Sequence, residues 1–346
     1  MATRPFPTAS PRLVGEHPSI LALNTLISRV ARSQTHTVLI YGETGTGKGL
    51  VARMIHQQSQ RAGHEFIDIN CAAIPAQLLE SELFGHERGA FTGAVGKKEG
   101  LIEAANGGTV FLDEVRELDP VMQAKILSLL DTQRFRRVGA IKPIGVDVRF
   151  IAATNKILLG EVKAGKFRDD LYYRLQVIAI NIPPLRERGD DIFLLTQSFL
   201  ARYNQQYGSH MKRLDAEVER IFRAYDWPGN VRELQNLLER LCLLEDGDCI
   251  RAEQLPARIL REIAAPLPHD DLVQLGAAGS KRGAARTQHY YEATIQFQRT
   301  LIERTLAGCQ NKLGLAAQHL NLTRHALRHQ MTKLGWPGKR AKTGKP

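Results

Sequence analysis

GETGTGKG, residues 42–49, decides the fold of this chain. It follows the apolar run Thr37–Tyr41 and precedes a helical pattern, the strand–loop–helix setting that a phosphate-binding loop requires. Gly42, Gly45 and Gly47 let backbone N–H groups approach phosphates, with Glu43, Thr44 and Thr46 as the other residues of the loop. The N-terminus of the next helix adds positive potential, and Lys48 is placed to reach the terminal phosphates of a nucleotide. Gly49 stands where the general pattern has Ser or Thr. The hydroxyl that usually binds magnesium is therefore missing, and the metal must rely on other ligands or water.

About 65 residues downstream, GGTVFLDE (107–114) is an apolar strand ending in two acids. Asp113 at its carboxyl end is the expected holder of Mg2+, and Glu114 is expected to polarise the water that attacks ATP. VRFIAATN (148–155) is another buried strand, ending in Thr154 and Asn155. In a parallel sheet such carboxyl ends gather at the ligand crevice, so Asn155 is placed to orient water or the γ-phosphate. Asn70, closing EFIDIN, is a similar candidate to sense or restrain Glu114.

Short β-branched runs (HTVLIYG, EFIDIN, GTVFLDE, VDVRFIAATN, QVIAINI) alternate with amphipathic helical stretches from residue 13 to about 185. This predicts an α/β fold with a mainly parallel sheet covered on both faces. From Pro183 the β signal disappears, and three stretches with helical spacing predict a helical subdomain over 186–263. Residues 264–287, rich in Ala, Gly and Pro, read as a linker, and 288–338 read as a small all-α module. Residues 1–12 form an N-terminal extension and 339–346 a basic tail.

Charge is unevenly distributed. Residues 292–346 carry ten Lys or Arg against two Glu, a net +8 out of +11 for the whole chain, so one end is built for a polyanion. Four scattered cysteines without CxxC spacing suggest neither a zinc site nor a disulfide framework and read as buried free thiols, and His325 and His329, one helical turn apart, have no carboxylate or thiol nearby to complete a metal site. No apolar run approaches the roughly 20 residues of a membrane span, and Pro interrupts the region where a signal peptide would be apolar. The expected location is cytoplasmic.

Two further stretches hold basic residues of interest. FRDDLYYRL (167–175) carries Arg168 and Arg174 among acids that are surface pairing partners on one reading. On the other reading, the arginines serve a neighbouring subunit's γ-phosphate. In DWPGNVRELQN (226–236), Asn230 and Glu233 have the spacing of a capping box. Arg232 then lies in the first helical turn, where it opposes the macrodipole unless a phosphate is bound.

GETGTGKG, ELFGHERGAFTGA, GGTVFLDE, FRDDLYYRL, PPLRER and WPGNVREL, in this order over residues 13–260, resemble the AAA+ domain of bacterial enhancer-binding proteins, the activators of sigma-54 RNA polymerase. The resemblance implies that Gly89, Ala90, Phe91, Thr92, Gly93 and Ala94 form the loop that touches the sigma factor, carried at the tip of a helical insertion. Flanking glycines let such a loop rise and fold back. It further implies Lys48 on phosphate, Asp113 on magnesium and Glu114 on water, with Asn70 as the switch residue for Glu114. Thr154 and Asn155 match the first sensor, Arg232 the second, and Arg168 and Arg174 the trans-acting arginines. Gly49 departs from the Glu common in the family. A homo-oligomer, from dimer to hexameric ring, is implied as well.

Residues 308–336 read as a helix–turn–helix, similar to the Fis-type module that ends these activators. Ala316, Ala317 and Leu320 supply one packing face, Asn321 the turn, and Thr323 the cap of a second helix. Leu327, Met331 and Leu334 face inward on that helix, which turns Arg324, His325, Arg328, Thr332 and Lys333 toward the major groove of upstream double-stranded DNA. The resemblance begins near Leu13, which leaves no room for a preceding receiver or ligand-sensing domain. Control is then expected from a separate regulatory protein, from expression level, or from a domain removed from this sequence. Two other function classes compete: a different DNA-associated AAA+ remodelling ATPase, and a DNA-binding regulator whose nucleotide pocket is only structural. The GAFTGA stretch opposes the first, and Lys48, Asp113, Glu114 and both arginines oppose the second.

Overall fold

The structure is a computed structural model of the chain that describes residues 12–264 together with 302, 305, 306, 313, 315, 316 and 327. The chain divides into two compact units, Met1–Pro266 and Leu267–Pro346.

Five parallel strands form the centre of the first unit: β1 (Thr37–Tyr41), β2 (Phe66–Asn70), β3 (Thr109–Asp113), β4 (Arg149–Thr154) and β5 (Ala179–Asn181), in the order β2-β3-β4-β1-β5. Their side chains alternate between two buried layers. Val38, Ile40, Phe111, Ile151 and Ala153 meet α1 (Pro18–Arg32) and α2 (Lys48–Gln57) on one face. Leu39, Val110, Leu112, Phe150 and Ala152 meet α3 (Ala76–Phe84), α4 (Leu101–Ala104), α5 (Pro120–Thr132), α6 (Leu158–Lys163) and α7 (Asp169–Leu175) on the other. Burial on both faces is why the three central strands, β3, β4 and β1, read as continuous apolar runs rather than as alternating ones. The register places Tyr41 beside Thr154 and Asn181, and Asn70 beside Asp113. All the strand ends singled out from the sequence therefore lie along one edge.

Helix boundaries follow local chemistry. Asp119 caps α5, its carboxylate accepting from the Met122 N–H at 2.8 Å, with Pro120 in the first turn where no N–H is needed. The helix stops at Gln133 in the left-handed conformation. After Pro183 and Pro184 come α8 (Asp191–Tyr207), α9 (Ala216–Ala224), α10 (Asn230–Leu244) and α11 (Ala257–Ala264). They enclose their own core around Tyr203, Phe222, Trp227, Leu234 and Leu238. Two small β elements lie where the sequence showed none: Arg134–Phe135 pairs antiparallel with Ile144–Gly145, and Arg213–Leu214 pairs in parallel with Cys249–Ile250. Two residues are too few to carry a period.

In the second unit Ala316 and Leu327, both expected to face inward, are helical and fully buried. Thr323, Arg324, His325, Arg328, Thr332 and Lys333 lie outside the described residues. Among the described residues no helix is long and apolar enough to cross a membrane.

Candidate functional site

A cleft of about 500 Å³ opens between the sheet edge and the helical subdomain, lined by the phosphate loop, Asp113, Glu114, Arg188, Arg232 and apolar groups including Leu13 and Phe199. Gly45 and Gly47 hold φ of +82° and +104°, which only glycine adopts without strain. Lys48 is 7% exposed and donates to the carbonyls of Gly42 (3.0 Å) and Glu43 (3.4 Å), with its Nζ 3.6 Å from Glu114 Oε1. Burial pushes the Asp113 carboxyl up, against the pull of Lys48. Glu114 takes the left-handed conformation at φ +53°, its N–H donating to Asp113 Oδ1, so the two successive acids diverge at the strand end.

Asn155 lies across from them. Its N–H donates to Glu114 Oε2 at 3.3 Å and its Nδ2 to Thr44 Oγ1 at 3.4 Å. Its Oδ1 is buried with no hydrogen-bond partner among the described residues, an acceptor left for water or a ligand. The Thr154 hydroxyl is fully buried and bonds the backbone of Lys156.

Two expectations change. Asn70 does not reach Glu114: its Oδ1 accepts from the Ala72 N–H at 2.9 Å, a local turn that outcompetes the longer reach. Asn230 does not cap its helix: Gly229 occupies that position, and Asn230 at φ +50° turns its side chain toward the phosphate loop. Glu233 does not close a capping box on Asn230 either: its Oε2 accepts from the Gly229 N–H, four residues back, and the Asn230 N–H donates to the Trp227 carbonyl.

Arg232 is exposed in the first turn of α10 and makes no ion pair among the described residues. Its N–H donates to the Gly45 carbonyl. Within the single chain Arg168 pairs with Asp170 at 2.7 Å and Arg174 with Asp131 at 3.0 Å, all four half-exposed. Gly49 is not sterically required, because a Cβ there would meet only Phe111 Cε1 at 3.7 Å. Gly49→Ala should stabilise α2, raising unfolding free energy by about 0.5–1 kcal/mol in a denaturant titration.

The GAFTGA stretch follows α3 as a turn. Gly89 N–H meets the Ala94 carbonyl at 2.9 Å, with Gly89 and Gly93 at φ +80° and +105°. Phe91 is 42% exposed, resting edge-on against His86. Thr92 is exposed, while Ala94 is buried as the anchor. Arg137 holds the base, pairing with Glu87 at 2.9 Å and Glu103 at 2.6 Å.

The sequence reading missed Arg188. It is 1% exposed, donates to the carbonyls of Pro183 and Thr46, and is brought down to about 10 by burial. The PPLRER run contains it, but nothing in that run says which of its arginines is buried.

The profile of the Sigma-54 interaction domain matches residues 13–181, and that of the AAA+ ATPase lid domain matches 186–270. The response regulator protein PilR of Pseudomonas aeruginosa is 43% identical over 330 residues, covering 94% of this chain and 70% of PilR. The chain belongs to the sigma-54 activator family of AAA+ ATPases. Nif-specific regulatory protein of Azotobacter vinelandii, another relative, is 48% identical over 264 residues, covering 75% of this chain and 50% of that protein. Crystal structures of NtrX from Brucella abortus superpose with a TM-score of 0.67 at 32% identity for the ADP complex and 33% for the ATP complex, each covering at least 94% of this chain and about 70% of NtrX. The sigma-54 activator family thus accounts for the nucleotide cleft, the sheet and the lid in one unit of this chain.

Proposed function

We propose that the chain is a transcription activator that binds upstream DNA, assembles into a ring and spends ATP on remodelling the closed complex of sigma-54 RNA polymerase. The observation that carries this reading is the pairing of a complete hydrolytic edge with an outward loop. Lys48, Asp113 and Glu114 line one cleft and Asn155 is hydrogen-bonded to Glu114, while Phe91 and Thr92 stand exposed on a turn that Arg137 secures to the body.

In the proposed cycle Lys48 leaves the Gly42 and Glu43 carbonyls for the terminal phosphates, which frees Glu114 to take a proton from water that Asn155 Oδ1 orients. Arg232, in the first turn of α10 and without an ion pair among the described residues, closes on the phosphates from the lid. The hard oxygens of Asp113 fit Mg2+ and would hold it, without the hydroxyl that Gly49 cannot offer. When bound, the ion neutralises charge on the phosphates. Arg168 pairs with the exposed Asp170 and Arg174 with the exposed Asp131 while also donating to the Leu130 carbonyl at 3.0 Å; the carboxylates are contacts that a neighbouring subunit's γ-phosphate could replace at small cost. The basic C-terminal stretch is assigned to phosphate and base contacts with DNA, with Arg324 and Arg328 on the reading helix. A cytoplasmic location accompanies these roles.

In vitro transcription from a sigma-54 promoter tests the proposal: open complexes should form with ATP and not with a non-hydrolysable analogue. Equal activity with both would end it. Thr92→Ala should reduce open complexes at least tenfold while ATP turnover stays within about twofold, since Thr92 does not line the nucleotide cleft.

A further inference from the structure

One cluster at the cleft's rear is not used by the chemistry above. Glu43, the second residue of the phosphate loop, is clasped from two sides. Arg186 forks onto its carboxylate at 2.6 and 2.9 Å, and Asn230 Nδ2, from the first turn of the lid helix α10, donates to Oε2 at 3.1 Å. The same Nδ2 reaches the Thr44 carbonyl at 3.1 Å, and Asn230 Oδ1 accepts from the Leu185 N–H at 2.7 Å. Asn230 is fully buried and left-handed at φ +50°. Only Asn, Asp or Gly sits there without large strain, and only Asn both donates to the loop and accepts from residue 185. Asp would set a second carboxylate against Glu43.

From Thr44 the contacts continue to Asn155 and from Asn155 to Glu114. A continuous line of hydrogen bonds therefore runs from the lid helix, through the phosphate loop, to the proposed water-activating carboxylate. We propose that Asn230 and Glu43 are a positioning pair that makes the rate of ATP hydrolysis depend on how the lid is seated, by holding Thr44, and through it Asn155 and Glu114, in register. The inference rests on the reading of Glu114 given above. It assigns the lid a contact to the catalytic edge that is separate from Arg232, because neither Asn230 nor Glu43 needs to touch nucleotide.

The test uses the full chain, with steady-state ATP turnover and binding of a fluorescent ADP analogue. Asn230→Gly keeps the backbone conformation and removes the amide. It should lower kcat by about tenfold while the analogue's Kd stays within about threefold. Glu43→Ala should act likewise, and the double variant should turn over no more slowly than the slower single one, as expected for two residues acting as one unit. Wild-type turnover in Asn230→Gly, multiplying effects in the double variant, or a Kd that weakens in step with kcat would each overturn the proposal. Should Asn230→Gly not fold, Arg186→Ala decides. That residue is exposed, and its loss should lower kcat about threefold with Kd unchanged, an unaltered kcat counting against the pair. Glu114→Gln run in parallel separates the two ideas: continued hydrolysis there overturns the site assignment, whereas its loss beside a normal Asn230→Gly overturns only the pair.

Discussion

Glu114→Gln is expected to lower ATP turnover by about 10²–10⁴-fold while nucleotide affinity stays within a few-fold. The amide keeps the shape of the side chain and an oxygen for the Asn155 N–H at 3.3 Å, so the strand end need not rearrange. It cannot accept the proton of an attacking water. It also releases Lys48 from the 3.6 Å approach of a carboxylate, which favours phosphate binding and preserves affinity. Phosphate release and analogue binding, measured on the same preparation, separate these effects. Turnover at the wild-type rate would remove Glu114 from its assigned role.

Gly45→Ala should be nearly as damaging, through the backbone rather than the chemistry. A Cβ at this position would lie 2.1 Å from the Gly229 carbonyl oxygen, and φ of +82° is already unfavourable for alanine. Neither partner is a flexible side chain, so the phosphate loop and the start of α10 must separate. That movement breaks the bond from the Arg232 N–H to the Gly45 carbonyl and carries Arg232 away from the cleft. A displacement near 1 Å is enough for a loss of about 10²-fold in kcat/KM. Wild-type kcat/KM would show that the close approach is not maintained during turnover.

The parts of this molecule that were legible in the sequence are those governed by neighbours in the chain. Three buried central strands and two edge strands announce themselves as β-branched runs, and the spacing from Gly42 to Lys48 has one common structural use. Asp113, Glu114, Thr154 and Asn155 could be placed together because strand ends in a parallel sheet share an edge. The failures are failures of local rules at positions where tertiary contacts win. Asn230 and Glu233 have capping-box spacing, yet a left-handed φ diverts Asn230 to a partner 187 residues away. Glu43 reads as a residue of the phosphate loop, and its pairing with Arg186, 143 residues away, has no local signal. Asn70 shows the opposite case in this structure, its side chain engaged in a short-range turn with the Ala72 N–H and not with Glu114.

The lid has its own apolar interior around Trp227, distinct from the two layers beside the sheet, and the cleft lies where they adjoin. Such an arrangement makes calorimetry informative: without ligand, helices α8–α11 should melt as a separate thermal transition below that of the strands. Saturating ADP, touching both bodies at once, should merge the two peaks into one of higher temperature.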